Sequence, residues 1–133
     1  MTHRPYLLVV EDTQATQVLF RVQLESRYRV DIAGHAREAL ALAGARRYDA
    51  VIMDIELGEA MTGEEVFRAL RTMANYETVP MIACTAHALA GDRHRYLDAG
   101  FDGYLSKPFR RDELYRLLDD LLGTPHAGDA GTE

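Results

Sequence analysis

The chain has 133 residues, enough for one compact domain that buries about two-thirds of its unfolded surface without disulfides or other staples. Its 47% hydrophobic and 27% charged residues are ordinary for a globular protein, no apolar run approaches the ~20 residues a bilayer needs, and Cys84 as the single cysteine excludes an intrachain disulfide. The net charge of −6, from 15 basic and 21 acidic residues, argues against broad binding to nucleic acid. With no signal-peptide pattern at the start, a cytoplasmic protein is expected, with protein or small-ligand partners and neither direct DNA binding nor membrane attachment.

The run "YLLVV" from Tyr6 reads as a strand buried on both faces, and it ends on the adjacent carboxylates Glu11 and Asp12. Asp12 or Thr13 suits the cap of a first helix, in which Ala15, Val18, Leu19 and Val22 fall on the i, i+3, i+4, i+7 template of a core-facing stripe. "YRVDI" is more polar and suits an edge strand, and a second helix carries Ala36, Ala39, Leu40 and Ala43. "AVIMDI" brings Asp54 to the end of a third strand, before a third helix over about 63–74 with Val66, Leu70 and Met73.

"VPMIACT" ends a fourth strand on Thr85, with Cys84 as a small buried apolar residue rather than a reactive thiol. The fourth helix, over about 89–99, has the weakest stripe and places Tyr96 and Leu97 in the core. "DGYLS" leads to Lys107 and Pro108, and Leu114, Leu117, Leu118 and Leu121 mark the last helix. Residues 123–133, "GTPHAGDAGTE", have no periodicity and read as a flexible tail after a domain over 1–122.

Five strands alternating with five helices imply an α/β fold with a parallel sheet covered by helices on both faces. In such sheets the ligand crevice lies at the carboxyl ends of the strands, so Glu11, Asp12, Asp54, Thr85 and Lys107 are expected to converge. Crowded carboxylates repel one another unless a cation joins them, and hard oxygen ligands favour Mg²⁺ or Mn²⁺. His87 and His94 have no closing ligand set and read as surface histidines. Taken singly, each acidic or hydroxyl residue would be a solvated strand end; the odds reverse only because matching chemistry stands at four strand ends.

Glu11-Asp12, "VIMDI" around Asp54, "CTA" around Thr85 and "YLSKP" from Tyr104 to Pro108 together resemble the receiver domains of two-component signalling, over roughly residues 5–122. The resemblance implies the sheet order 2-1-3-4-5 and a phosphoacceptor at Asp54, phosphorylated from a histidine kinase or a histidine phosphotransfer protein. It further implies Mg²⁺ held by Glu11, Asp12, Asp54 and the backbone carbonyl of Glu56, with Thr85 and Lys107 holding the phosphorylated state. Lys107-Pro108 is implied to be a cis peptide, Thr85 and Tyr104 a switch pair, and Glu56 and His87 residues that tune the lifetime of the phosphoryl group. The wording around Thr85 to Pro108 is similar to stand-alone cell-cycle receivers and to receivers of hybrid kinases.

By the same resemblance the signal leaves through the face of the fourth helix, fifth strand and fifth helix, toward a downstream protein or a second copy in a homodimer, with no output domain in the chain. Arg93, Tyr96, Arg111 and Tyr115 are the expected contact residues there. One departure stands out: Gly58 occupies the place where most receivers have proline, in a stretch about one residue longer than common, so a more flexible loop is expected after Asp54. A haloacid-dehalogenase-like phosphatase is the alternative, but it expects a second Asp where Glu56 stands. A flavodoxin-like flavin binder needs a phosphate loop in place of "EDTQATQ", and a pseudo-receiver would not need all five pocket residues.

Overall fold

The structure, a computed structural model, describes residues 4–58, 61–86, 89 and 91–123. In chain order the elements are β1 (Tyr6–Val10), α1 (Gln14–Leu24), β2 (Arg29–Ala33), α2 (Ala36–Ala45), β3 (Ala50–Asp54), α3 (Gly63–Arg71), β4 (Met81–Thr85), α4 (Asp92–Asp98), β5 (Gly103–Ser106) and α5 (Arg111–Leu122). The strands form one sheet in the order β2-β1-β3-β4-β5, every neighbouring pair parallel. The receiver-type topology expected from the sequence is therefore present. Of the expected tail, only Gly123 falls among the described residues. No helix among the described residues is long and apolar enough to cross a membrane.

Because strand side chains alternate between faces, the central strands feed two separate cores. Leu8, Val10, Val51, Met53, Met81 and Ala83 pack under α2 and α3, joined by Tyr96 and Phe101, while Leu7, Val9, Ile52, Ile82 and Cys84 pack under α1 and α5. Every residue of β3 and β4 is buried, as continuous apolar runs predict, and β2 at the edge is mostly half-buried. The stripes expected on α2, α3 and α5 face these cores through Ala39 and Ala43, Val66 and Leu70, and Leu114 and Leu118.

The stripe expected on α1 does not face the core. Val18 and Val22 are 56% and 68% exposed, and Leu19 is 39% exposed. The buried residues are Phe20 and Leu24 on nearly the opposite side, since each residue turns the helix by about 100°. The aromatic ring decides the orientation: Phe20 packs on Phe109 with centroids 5.0 Å apart, and burying it and Leu24 is worth about 2–3 kcal/mol each. Gln17, on the same side, donates its amide to the Glu11 carbonyl at 2.6 Å. Periodicity found a real apolar stripe but assigned it to the wrong environment.

Two expected surface contacts also change place. Tyr96 is buried, its ring edge-on to Phe101 and stacked with Tyr104, which agrees with its reading as core and removes it from an exposed contact face. Tyr115 turns toward α1, where its hydroxyl donates to the Gln23 carbonyl and Arg27 lies 4.4 Å over its ring. Arg93 and Arg111 are exposed.

The start of α3 locks the end of β3. Thr62 and Glu65 form a reciprocal cap, with Glu65 N–H donating to Thr62 Oγ1 at 3.1 Å and Thr62 N–H to Glu65 Oε1 at 2.8 Å. Gly63 comes so close to the strand that a Cβ there would lie 2.2 Å from the Asp54 carbonyl oxygen and 2.8 Å from Ile55 Cα. Gly63→Ala is therefore expected to destabilise the fold by about 2 kcal/mol or more and to displace the backbone carrying Asp54; urea denaturation, with Gly44→Ala as the tolerated control, measures this.

Candidate functional site

Three carboxylates meet at the carboxyl ends of β1 and β3. Glu11, Asp12 and Asp54 can each place an oxygen within 4.8 Å of the others, a grouping able to hold a metal ion. Glu11 and Asp54 are almost inaccessible, and Asp12 is exposed. Lys107 reaches in from the end of β5, its Nζ 2.8 Å from Glu11 Oε1 and 3.6 Å from Asp54 Oδ1, and the Lys107-Pro108 peptide that follows is cis, as expected. Thr85 closes the group at the end of β4 and is buried. Glu11, Asp12, Asp54, Thr85 and Lys107 thus surround one crevice, as the sheet topology requires.

Backbone N–H groups fix each carboxylate. Thr13 N–H donates to Glu11 Oε2 at 3.0 Å, Glu56 N–H to Asp54 Oδ1 at 3.0 Å and Gly58 N–H to Asp12 Oδ2 at 2.9 Å. The last bond gives Gly58 a role its sequence position did not reveal: a proline there has no N–H to offer. Gly58 is also close enough that a Cβ would lie 3.2 Å from the same oxygen. The loop expected to be loosened is tied to the site at this residue, and Gly63 N–H holds its far end on the Ile55 carbonyl at 3.3 Å. Glu59 and Ala60 lie outside the described residues.

Carboxylate oxygens lying within 4.8 Å of one another repel, and the Lys107 ammonium, at 2.8 and 3.6 Å, attracts two of them. Removal of the carboxylates from water adds to the repulsion. Asp54 shows this directly: burial first, then the Glu11 charge, push its pKa up to about 7, while Lys107 and the Glu56 N–H pull the other way. Burial works to lower the Lys107 pKa, but the Glu11 hydrogen bond and the charges of Asp54 and Glu11 outweigh it and the value is raised. A buried carboxylate with such a pKa beside further oxygen ligands fits a hard divalent cation. Cys84, under the crevice, is pushed by burial up to about 12 and is inert.

Glu56 sends its side chain across the crevice rather than to solvent. Its carboxylate accepts the Thr85 hydroxyl proton and, through Oε1, the Ala86 N–H at 3.1 Å. Tyr104 is half-buried, its ring stacked on Tyr96 with centroids 6.0 Å apart, and its hydroxyl has no partner among the described residues. His87 lies outside the described residues. Gln17 and Gly63 are contributors that sequence reading passed over, and Gly58 is one it read only as a loosened loop. Each acts through its backbone, or on a backbone atom, and leaves no motif of its own.

The profile of the response regulator receiver domain family matches residues 7–119. The chain is 35% identical over 118 residues to the polar-differentiation response regulator DivK of Brucella anthropi, covering 88% of this chain and 95% of that protein. It is 36% identical over 128 residues to response regulator MprA of Mycolicibacterium vanbaalenii, 96% of this chain but only 54% of the relative, so it spans about half the length of that protein. Among solved structures, the receiver domain of sensor histidine kinase PA1611 from Pseudomonas aeruginosa, with magnesium coordinated in its active-site cleft, superposes with a TM-score of 0.82 at 39% identity over 92% of this chain and 100% of that one. The chemotaxis protein CheY4 of Vibrio cholerae gives a TM-score of 0.83 at 29% identity, over 90% of this chain and 100% of that one. With the acidic cluster, the sheet order and these likenesses in agreement, the chain belongs to the response regulator receiver domain family, the phosphoacceptors of two-component signalling.

Proposed function

We propose that Asp54 is the phosphoacceptor and that the chain takes its phosphoryl group from a histidine kinase or a histidine phosphotransfer protein. The observation that carries this reading is the placement of Asp54: it is held by one N–H, faces Lys107, and lies beside two further carboxylates at the open end of the sheet. An Asp54 oxygen attacks phosphorus, a P–O bond forms and the P–N bond breaks, and the donor imidazole, protonated on its other nitrogen, leaves neutral with the electron pair. Lys107 and the Thr85 hydroxyl stabilise charge on the transferred oxygens. A magnesium or manganese ion held by Glu11, Asp12, Asp54 and the Glu56 carbonyl would supply the positive charge that makes two anions approach. Asp12 is oriented for this by Gly58, and Glu11 by Thr13 and Lys107.

The exposed apolar stripe of α1 belongs to the same reading. Ala15, Val18, Leu19 and Val22 start three residues beyond Asp12 and lead away from the crevice, so a helix carrying the phosphohistidine can seat on them while its imidazole reaches Asp54. The signal then leaves through the α4, β5 and α5 face, with Thr85 and Tyr104 as the switch pair, to a downstream protein or a second copy. A cytoplasmic location goes with this reading. Phosphatase chemistry of the haloacid-dehalogenase type finds no support, because Glu56 is engaged with Thr85 and Ala86.

Incubation with Mg²⁺ and acetyl phosphate, read by intact mass, is expected to add one phosphoryl group to the wild type and none to Asp54→Asn, with Asp12→Asn slowed at least ~10-fold through loss of a metal ligand. Equal labelling of wild type and Asp54→Asn would overturn the assignment. Val18→Asp should slow uptake from a phosphohistidine protein by ~10-fold and leave uptake from acetyl phosphate unchanged.

The raised Asp54 pKa fixes a pH dependence for the metal-free protein. Between the ordinary value of 3.8 and about 7 the folded state binds the proton and the unfolded state releases it, so this contribution to stability is complete below the lower value and is lost as pH rises through the upper one. Asp54→Asn should therefore match the wild type near pH 4 and exceed it by roughly 3–5 °C in Tm near pH 8 in a chelator. Millimolar Mg²⁺ should close that gap by stabilising only the wild type.

A further inference from the structure

Glu56 makes two kinds of contact that bear on the same event. Its backbone N–H donates to Asp54 Oδ1 at 3.0 Å, and its carboxylate takes both the Thr85 hydroxyl and the Ala86 N–H. These two donors stand at the end of β4, the strand beside that of Asp54, with Asp54 paired in register to Cys84. They form a small anion cradle on the open side of the phosphoacceptor, and an oxygen of an aspartyl phosphate on Asp54 is the anion such a cradle would serve. In this chain the cradle already holds an anion: one supplied by the residue two positions after Asp54.

Resting on the reading of Asp54 as phosphoacceptor, we propose that the Glu56 carboxylate is an internal stand-in for the phosphoryl group. It occupies the Thr85 and Ala86 donors and keeps Thr85 drawn toward the crevice, so the incoming phosphoryl group must displace it. Charge requires the displacement, since a dianionic phosphoryl group and a carboxylate cannot share two donors in a crevice that already holds three acids and one lysine. Thr85 also passes its position on. Its carbonyl accepts the Lys107 N–H at 2.8 Å, its Cα pairs with Ser106, and Tyr104 stands two residues earlier on the same strand with its ring turned inward on Tyr96. The inward Tyr104 is thus compatible with a Thr85 that is held before any phosphorylation. Glu56 is a positioning residue whose net effect is competition: the phosphoryl group gains the two donors only by displacing it, a larger cost than the saving from a Thr85 already drawn toward the crevice.

The test uses the full chain at saturating Mg²⁺, titrated with beryllofluoride as the phosphoryl mimic, in wild type, Glu56→Ala and Glu56→Gln. Glu56→Ala is expected to bind beryllofluoride about tenfold more tightly, as removal of a charged competitor for two hydrogen bonds implies, with Glu56→Gln between it and the wild type. A purely structural loss would weaken binding instead. In the mimic-free protein, the amide signal of Ala86 and the ring signals of Tyr104 should move in Glu56→Ala away from their mimic-bound positions. Wild type and Glu56→Ala binding equally, or Ala86 and Tyr104 signals unmoved between them, would overturn the proposal while leaving Asp54 as phosphoacceptor intact. Failure of all three forms to take beryllofluoride would overturn the phosphoacceptor reading itself and the stand-in with it.

Discussion

Two carboxylates, Glu11 and Asp54, are held almost out of water at the ends of neighbouring strands, and the architecture around them exists to bear that cost. Neither helix propensity nor core packing asks for them. A fold that only needed stability would place leucines there, because a buried ionised group is repaid only by good geometry and complete hydrogen bonding. The repayment comes from one lysine delivered from the far side of the sheet and from two backbone N–H groups, of Thr13 after β1 and Glu56 after β3. The raised pKa of Asp54 is the part left unpaid.

Parallel strands make this concentration possible. All five strands run the same way and all five strand-to-helix loops lie at the same end of the sheet, so residues far apart in sequence, such as Glu11 and Lys107, arrive at one rim. The same geometry makes the rim sensitive to backbone detail. Gly63 is required because α3 begins in contact with the Asp54 carbonyl, and Gly58 contributes because its N–H reaches Asp12. Stability and site are linked through these glycines more directly than through the apolar cores.

Much of this was legible in the sequence. The strand runs, the acidic pair, Asp54, Thr85 and Lys107 carry types and positions that only one topology brings together, and the continuous apolar character of β3 and β4 announced their burial. What was not legible has a common cause. The orientation of α1 depends on Phe20 meeting Phe109, a contact between residues 89 positions apart that a local stripe does not encode. Tyr115 was misplaced for the same reason, since its hydroxyl finds the Gln23 carbonyl on α1. Gly58 read as a loosened loop because a backbone hydrogen bond has no residue signature. Glu56 read as a metal ligand through its carbonyl and as a tuner of phosphoryl lifetime, and only the course of its side chain across to Thr85 reveals what its carboxylate touches.

Tyr104 carries two opposing contributions. Its ring gains by stacking on Tyr96 inside the rim, an aromatic pair worth about 0.5–1.5 kcal/mol beyond its burial. Its hydroxyl, buried with no partner among the described residues, loses about 1–3 kcal/mol relative to water. The hydroxyl cost therefore offsets the stacking gain but leaves the burial of the ring in place. On the proposed roles of Asp54 and Glu56, Tyr104 takes its bias from whichever anion holds the Thr85 hydroxyl, and control of the β5 face would then lie in the crevice at the ends of β3 and β4 rather than in the helix that flanks it.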